Sequence, residues 1–342
     1  MDDILTDDIL NFWGTRGSLP GPRIATDIGA KSKTLLKKFA AECSRTQQVP
    51  DVDTFLADCL FYEKSTFGGN TSCVEVKLGG ERFIFDVGSG ARQLGNNLIA
   101  EMFQKGGIKG IILLSHTHWD HIQGFPFFGP VFINKETGKG IKNSFTIYGG
   151  TSYMENIEAC LRQQMEYRVF PVTWAYLKHI NHELLTETIG DMEKLSIGEV
   201  DVFTRMLNHP GGSLGYRLSY KGKVVTYTTD NEPFDRLTPH PPLVQLAKNA
   251  DVWITDCQYL WETYTGELGG LCRMGWGHSY PLAVAMAAIQ ANVKHVVLFH
   301  HDPTSTDEQI AHIADEVRRE LDERKASHIV VTPAHDGMQL VL

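Results

Sequence analysis

The segment Gly110–His121, GIILLSHTHWDH, constrains this chain more than any other stretch. It opens as an apolar run of the kind a buried strand uses. It closes in Ser115-His116-Thr117-His118-Trp119-Asp120-His121, which offers four side chains of metal-ligand type. Successive side chains on a strand alternate between faces, so His116 and His118 point the same way and can hold one ion. Beyond the strand the chain turns, which frees Asp120 and His121 for a second. Neutral imidazole and carboxylate suit zinc, and equally manganese or iron.

The rest of the chain supplies more strands. CVEVKL (73–78) alternates apolar and polar, as a half-buried strand does, and a Gly-Gly turn joins it to RFIFDV (82–87). In the second half VDVFTRML (200–207), GYRLSY (215–220), KVVTYTTD (223–230), VWIT (252–255), HVVLFH (295–300) and HIVVT (328–332) read as strands. Helical patterns occupy 91–105, 151–168, 241–249, 281–291 and 307–326, the last capped by Thr306 or Asp307. Alternating strand and helix in both halves, with antiparallel hairpins, predicts a layered α/β protein. KSKTLLKKFAAECSR and DTFLADCLFYEK read as two helices inserted at about 24–66. No fixed-period repeat is present, so 1–342 reads as one domain of two similar halves.

Composition excludes several function classes. Seventeen Phe, 11 Tyr and 6 Trp furnish a sizeable core, which rules out disorder along the whole chain. No apolar stretch approaches the roughly 18 residues of a membrane span. The start, MDDILTDDIL, has the wrong charge for a secretory signal. A formal charge of -9 removes the global field that binds long polyanions, so long nucleic acid is not the expected partner. Lys31, Lys33, Lys37 and Lys38 form the densest basic cluster and read as a solvated helix face. Six cysteines without a C-x-x-C pair read as buried, reduced thiols in a cytoplasmic protein.

H-T-H-W-D-H resembles the signature of the metallo-β-lactamase fold hydrolases, and further segments similar to that family follow in order. The resemblance implies a four-layer αββα sandwich of two similar halves. It implies His116, His118 and His209 around one metal and Asp120, His121 and His300 around the other, with Asp230 shared. His300 and His301 are adjacent, and the L-x-H strand ending favours His300 as ligand. His301 then stands beside the site or against substrate. DVGSGARQLG (86–95) places Asp86 to hold a metal-bound histidine, and its backbone N–H groups around Ser89 to cradle an anion.

Gly275-Trp276-Gly277-His278-Ser279 resembles the phosphodiesterase branch of that family, which includes tRNA 3′-processing endonucleases and bacterial cyclic nucleotide phosphodiesterases. There the extra histidine protonates the leaving alkoxide, and Asp256 in ITDCQY matches its acidic partner. NFWGTRGSLPGP and FGGNTSCVEV are similar to the bacterial members, but here the 24–66 insertion separates them.

The expected activity is therefore hydrolysis of a small phosphodiester, first of all a 3′,5′-cyclic nucleotide (cAMP or cGMP). Two divalent ions, zinc or manganese before iron, would share a hydroxide that attacks phosphorus. His278, Asp256 and Asp120 are the catalytic candidates. A carbon-ester or lactone hydrolase uses the same metals without the Asp256–His278 pair. A tRNA 3′-endonuclease and a non-hydrolysing nucleotide or metal sensor are further alternatives. A homodimer is compatible with the family. Trp119, Phe125, Phe127, Phe128 and Trp276 lie near the motifs and offer faces for a base or for packing.

Overall fold

β-branched and aromatic runs broken by glycine turns fold into fourteen strands in two sheets among the described residues. The computed structural model describes residues 8–133, 140–150, 156–181, 183–267 and 269–342. The first seven residues, His182 and the opening of the expected 151–168 helix lie outside them. The strands of the first half are β1 (Ile9–Gly14), β2 (Cys73–Leu78), β3 (Glu81–Phe85), β4 (Lys109–Leu114), β5 (Ser144–Gly149) and β6 (Leu184–Thr188). Those of the second are β7 (Lys194–Ile197), β8 (Val200–Leu207), β9 (Ser213–Tyr220), β10 (Lys223–Thr228), β11 (Val252–Asp256), β12 (His295–Phe299), β13 (Val330–Pro333) and β14 (Gln339–Val341).

One sheet runs β14-β1-β2-β3-β4-β5-β6 and the other β13-β12-β11-β10-β9-β8-β7. Each is mixed in the same way: β1 to β3 and β7 to β10 pair antiparallel, whereas β3 to β6 and β10 to β13 pair parallel. The closing strand β14 crosses to the first sheet and pairs with β1. The inner faces meet in one apolar core drawing Phe12, Val76, Phe85 and Leu113 from the first half and Tyr216, Val225, Tyr227 and Phe299 from the second. The Phe85 and Tyr227 rings stack across it at 4.6 Å.

Helices cover both outer faces. Ala91–Lys105 buries Leu94, Leu98 and Met102 on the first sheet. Pro241–Ala247, Pro281–Ala291 and Asp307–Glu323 cover the second. The αββα sandwich of the sequence reading is thus the fold. β2 is buried along nearly its whole length rather than half-buried, because both of its faces are covered. Its Glu75 is reconciled with burial by Arg82 at 2.8 Å and the Asn11 amide at 3.0 Å. The expected 151–168 helix is Ile157–Gln164, followed by a separate Trp174–Ile180.

The 24–66 segment forms three helices rather than two: Ala25–Thr46, Val52–Asp58 and Phe61–Lys64. The break falls at Cys59–Leu60, and none of the three buries a residue. Burial of the thiols is uneven: Cys73 and Cys257 are buried, whereas Cys272 is exposed, contrary to the reading that all six are buried. Among the described residues no helix is long and apolar enough to cross a membrane.

Candidate metal centre

The parallel strands of both sheets end at one edge, and the polar residues that follow them converge there. In open α/β sheets this carboxyl edge is where ligands bind. β3 delivers Asp86, β4 the 115–121 segment, β10 Asp230, β11 Asp256 and β12 His300, and the β8–β9 turn adds His209. The apolar strand stops at Leu114, so His116 and His118 sit on a loop and not on the strand itself. They meet because the loop coils back into a short helix, Trp119–Ile122, which begins after His118. Asp86, Asp230 and His300 all adopt left-handed backbone, with φ of +56°, +61° and +55°. For residues with a Cβ this costs of order 1–3 kcal/mol each, and such strain gathers at functional sites.

Ligand atoms of His116, His118 and His209 lie within 4.8 Å of one another, and so do those of Asp120, His121 and His300. Asp230 stands between the two sets. Its Oδ2 is 3.3 Å from His121 Nε2, and its Oδ1 is 3.3 Å from His300 Nε2 and 4.0 Å from His209 Nε2. Asp120 Oδ2 lies 3.0 Å from His300 Nε2 and 3.2 Å from His121 Nε2. His278 Nδ1 lies 3.6 Å from both Asp230 Oδ1 and Asp256 Oδ2, and it also groups with His209 and Asp230 at ligand distances.

The donors fit a pair of divalent cations. His116 Nε2 is buried with no hydrogen-bond partner, an arrangement that costs free energy unless a cation takes the lone pair. Ring nitrogens face each other at 3.2 Å between His121 and His300 and at 3.1 Å between His118 and His209. Lone pairs that close repel unless a proton or a cation lies between them.

Surrounding bonds fix the tautomers. His121 Nδ1–H donates to Asp86 Oδ2 at 2.7 Å, which leaves Nε2 facing inward. Asp86 also accepts from the Ser115 N–H at 2.7 Å, the Ser115 hydroxyl at 2.8 Å and the Tyr227 hydroxyl at 2.7 Å. His209 Nδ1–H donates to the Gly277 carbonyl at 3.1 Å. The Ser18 N–H donates to Asp120 Oδ2 at 2.7 Å.

Burial pushes His116 well below the ordinary imidazole range, and it takes His209 to about 4. Burial opposes charge at Asp120 and Asp230 as well, but the adjacent His121 and His300 overcome it and hold both carboxyls well below their usual range. At His278 burial opposes protonation too, yet Asp256 and Asp230 outweigh it and raise the imidazole. Nδ1 at 3.6 Å is an ion-pair distance and not a hydrogen bond.

Two further sequence expectations are corrected. The 86–90 backbone does not cradle an anion, because its N–H groups are already engaged. Those of Val87, Gly88 and Gly90 bond the carbonyls of His121, Ser72 and Thr71. The Ser89 N–H donates to the Thr71 hydroxyl, and the Ser89 hydroxyl accepts from Thr71 N–H and donates to Asn70 Oδ1, so it staples two loops. His301 is turned away from the cluster. Its Nε2 bonds the Ala334 carbonyl at 2.9 Å and its ring packs edge-on to Phe67. Of the five aromatics, Phe125 and Phe128 are core, whereas Trp119, Phe127 and Trp276 are exposed. Ser115, Tyr227, Ser18 and Glu232 were not legible, since each acts through a partner distant in sequence.

A model described as the beta-lactamase superfamily domain matches residues 81–301. Ribonuclease Z of Archaeoglobus fulgidus is 25% identical over 269 residues, covering 68% of this chain and 81% of that one. Among solved structures, unliganded yeast PDE1 superimposes with a TM-score of 0.63 at 14% identity, over 98% of this chain and 99% of that one. The metallo-beta-lactamase fold protein YhfI from Bacillus subtilis gives a TM-score of 0.58 at 16% identity, over 98% and 99%.

Proposed function

Because the chain belongs to the beta-lactamase superfamily domain family, we propose that it is a metal-dependent phosphodiesterase whose substrate is a small phosphodiester, first of all a 3′,5′-cyclic nucleotide. The observation that carries the reading is the position of His278, an imidazole held beside Asp230 and Asp256 at the margin of the ligand cluster. Carbon-ester hydrolysis needs no such group, whereas expulsion of an alkoxide from phosphorus gains from a proton donor.

His116, His118 and His209 would hold one cation, and Asp120, His121 and His300 the other, with Asp230 between them. Zinc and manganese suit these donors, and iron does also. Two such ions supply Lewis-acid charge at a phosphoryl group and lower the pKa of water. The chain's own residues do the rest. Asp256 is fixed by the Ser279 N–H at 2.7 Å and the Asn231 N–H at 3.2 Å, so it is a rigid counter-charge for His278. With Nδ1 facing these carboxylates, Nε2 is the atom that hands a proton to the departing oxygen. Asp120, a ligand candidate beside His121 and His300, is itself held by the Ser18 N–H at 2.7 Å.

Exposed Trp119 and Trp276 follow His118 and precede Gly277 in the chain, and they offer faces to a nucleobase. The net charge of -9 favours a small substrate over long nucleic acid, and a cytoplasmic setting is consistent with thiols such as the exposed Cys272. A second reading, a ribonuclease, is favoured by the named relative from Archaeoglobus.

Purified protein of measured metal content, assayed on 3′,5′-cyclic AMP, 3′,5′-cyclic GMP, a 3′-extended tRNA precursor and a lactone, separates these readings. Turnover of a cyclic nucleotide that falls by about 10²–10⁴-fold in His278→Ala is the expected result. Lactone turnover indifferent to that substitution would overturn it, and so would tRNA cleavage without cyclic nucleotide turnover for the substrate.

A further inference from the structure

We propose that Glu232 is a positioning residue that fixes the loop carrying His278, and so sets the geometry of proton delivery; the inference rests on His278 acting as the general acid. Glu232 is buried, and each of its oxygens has work. Oε1 accepts from the Gly275 N–H at 2.7 Å and from the Tyr264 hydroxyl, and Oε2 accepts from the Gly277 N–H at 2.8 Å. Its main chain is tied just as firmly. The Glu232 N–H donates to the Asn208 carbonyl at 2.8 Å, and the Glu232 carbonyl accepts from Asn208 Nδ2 at 2.8 Å. One residue therefore joins three segments of the centre: the turn before His209, the strand end that bears Asp230, and the Gly275–His278 loop.

Within that loop the Trp276 N–H donates to the Arg273 carbonyl at 3.1 Å, and just past His278 the Ser279 N–H donates to Asp256 at 2.7 Å, but the amides of Gly275 and Gly277 both go to Glu232. Gly275 and Gly277 take φ of +86° and +88°, and the Trp276 between them is exposed. Gly277 has no room for a side chain, because a Cβ there would meet His209 Nδ1 at 2.0 Å. Its carbonyl accepts from His209 Nδ1 at 3.1 Å while its N–H is taken by Glu232. The residue before His278 is thus gripped on one side by a ligand candidate and on the other by a buried carboxylate. The two amides meet different oxygens of the carboxylate, so both Oε1 and Oε2 must be acceptors. Glutamine turns one of them into an NH₂ that faces an N–H donor.

The test uses Glu232→Gln, His278→Ala and the double variant on two probes, 3′,5′-cyclic AMP and bis(p-nitrophenyl) phosphate. The first expels an alkoxide that needs a proton, and the second a phenolate that leaves without one. E232Q is expected to lower kcat on cyclic AMP roughly 10–100-fold with KM changed by less than about threefold. It should change the p-nitrophenyl rate little and add nothing to H278A. Loss of equal size on both probes, or loss that persists in the H278A background, means a general structural role and overturns the proposal. Wild-type kcat in E232Q alongside a crippled H278A overturns it while leaving the acid role of His278 intact. H278A with undiminished activity removes that role itself. Melting temperature and metal content confirm folding. If E232Q does not fold, Glu232→Asp keeps the charge, shortens the reach and should show the same probe dependence.

Discussion

At Gly17 and His300 two distant parts of the chain meet with no space between them. A Cβ on Gly17 would lie 2.2 Å from His300 Nδ1. Gly17 is itself pinned by its N–H to the His301 carbonyl at 2.9 Å, so it cannot retreat. Gly17→Ala must therefore displace the imidazole. Overpacking of this kind costs about 1–3 kcal/mol. The larger effect is expected on metal affinity at the Asp120–His121–His300 set, a drop of roughly 10–100-fold. Titration with Zn²⁺ or Mn²⁺, monitored by bound-metal analysis, reads this directly; two sites of unchanged affinity in a folded G17A would show that His300 is not a ligand. The site was partly legible from residues alone. His116, His118, Asp120 and His121 announce themselves because they are contiguous. His209, Asp230 and His300 do not, since each is one ordinary polar residue at a strand end and only family resemblance singles it out. The strained backbone of Asp230 and His300 leaves no mark in the sequence, because neither Asp nor His advertises positive φ as Gly does.

Among the elements, the inserted helices pose the clearest question, since they bury nothing yet are firmly moored. The mooring is Asp307, at the start of the Asp307–Glu323 helix. Its Oδ1 accepts from the Phe67 N–H at 3.0 Å, the Thr66 hydroxyl at 3.1 Å and Arg23 at 3.3 Å, and its Oδ2 from Lys31 at 2.7 Å. Fully buried Arg16 lies 3.9 Å away and spends its other N–H groups on the carbonyls of Gly68, Asp302 and Ser305. Removing the carboxylate strands a buried guanidinium. Asp307→Ala is expected to destabilise by about 3 kcal/mol at neutral pH. Burial works against the Asp307 charge, but Lys31, the Phe67 N–H and Arg23 prevail and lower its pKa from the ordinary 3.8. A carboxyl depressed on folding adds stability above its unfolded pKa and loses it as pH falls through the folded one. The gap between wild type and D307A in urea midpoint should thus be full at pH 7 and close below about pH 4. A gap constant across that range would remove the ionic explanation. Most strands and the outer helices were legible because their apolar spacing is local. β1, β5, β6, β7 and β14 were not: they are short runs whose pairing partners lie far away, as β14 shows by reaching back to β1. The second break of the insertion, at Cys59–Leu60, was equally hidden, because it is marked by Glu63 accepting from the Leu60 N–H and not by a proline or glycine.

Across the whole molecule, the two halves share one interior and one site. The inner core interleaves Phe85 with Tyr227, and the Tyr227 hydroxyl then reaches Asp86, which holds His121. Core packing and ligand geometry are therefore the same set of contacts read at two depths. The proposed ligands divide between halves as well, with His116, His118, Asp120 and His121 from the first and His209, Asp230 and His300 from the second. Metal bound only by the folded form adds RT ln(1 + [L]/Kd), about 2.7 kcal/mol at a hundredfold excess over Kd. Because neither half owns a complete set, that stabilisation cannot fall on one of them alone. Calorimetry of protein stripped with chelator and then reloaded with Zn²⁺ or Mn²⁺ should show one transition that moves upward as a unit. Phe85→Ala should lower the same transition by about 3–5 kcal/mol and weaken the metal-dependent shift too, since it loosens the Tyr227 ring that steadies Asp86. Two transitions of which only one responds to metal, or a metal shift untouched by F85A, would mean that the halves carry the site independently and that the shared core does not transmit to it.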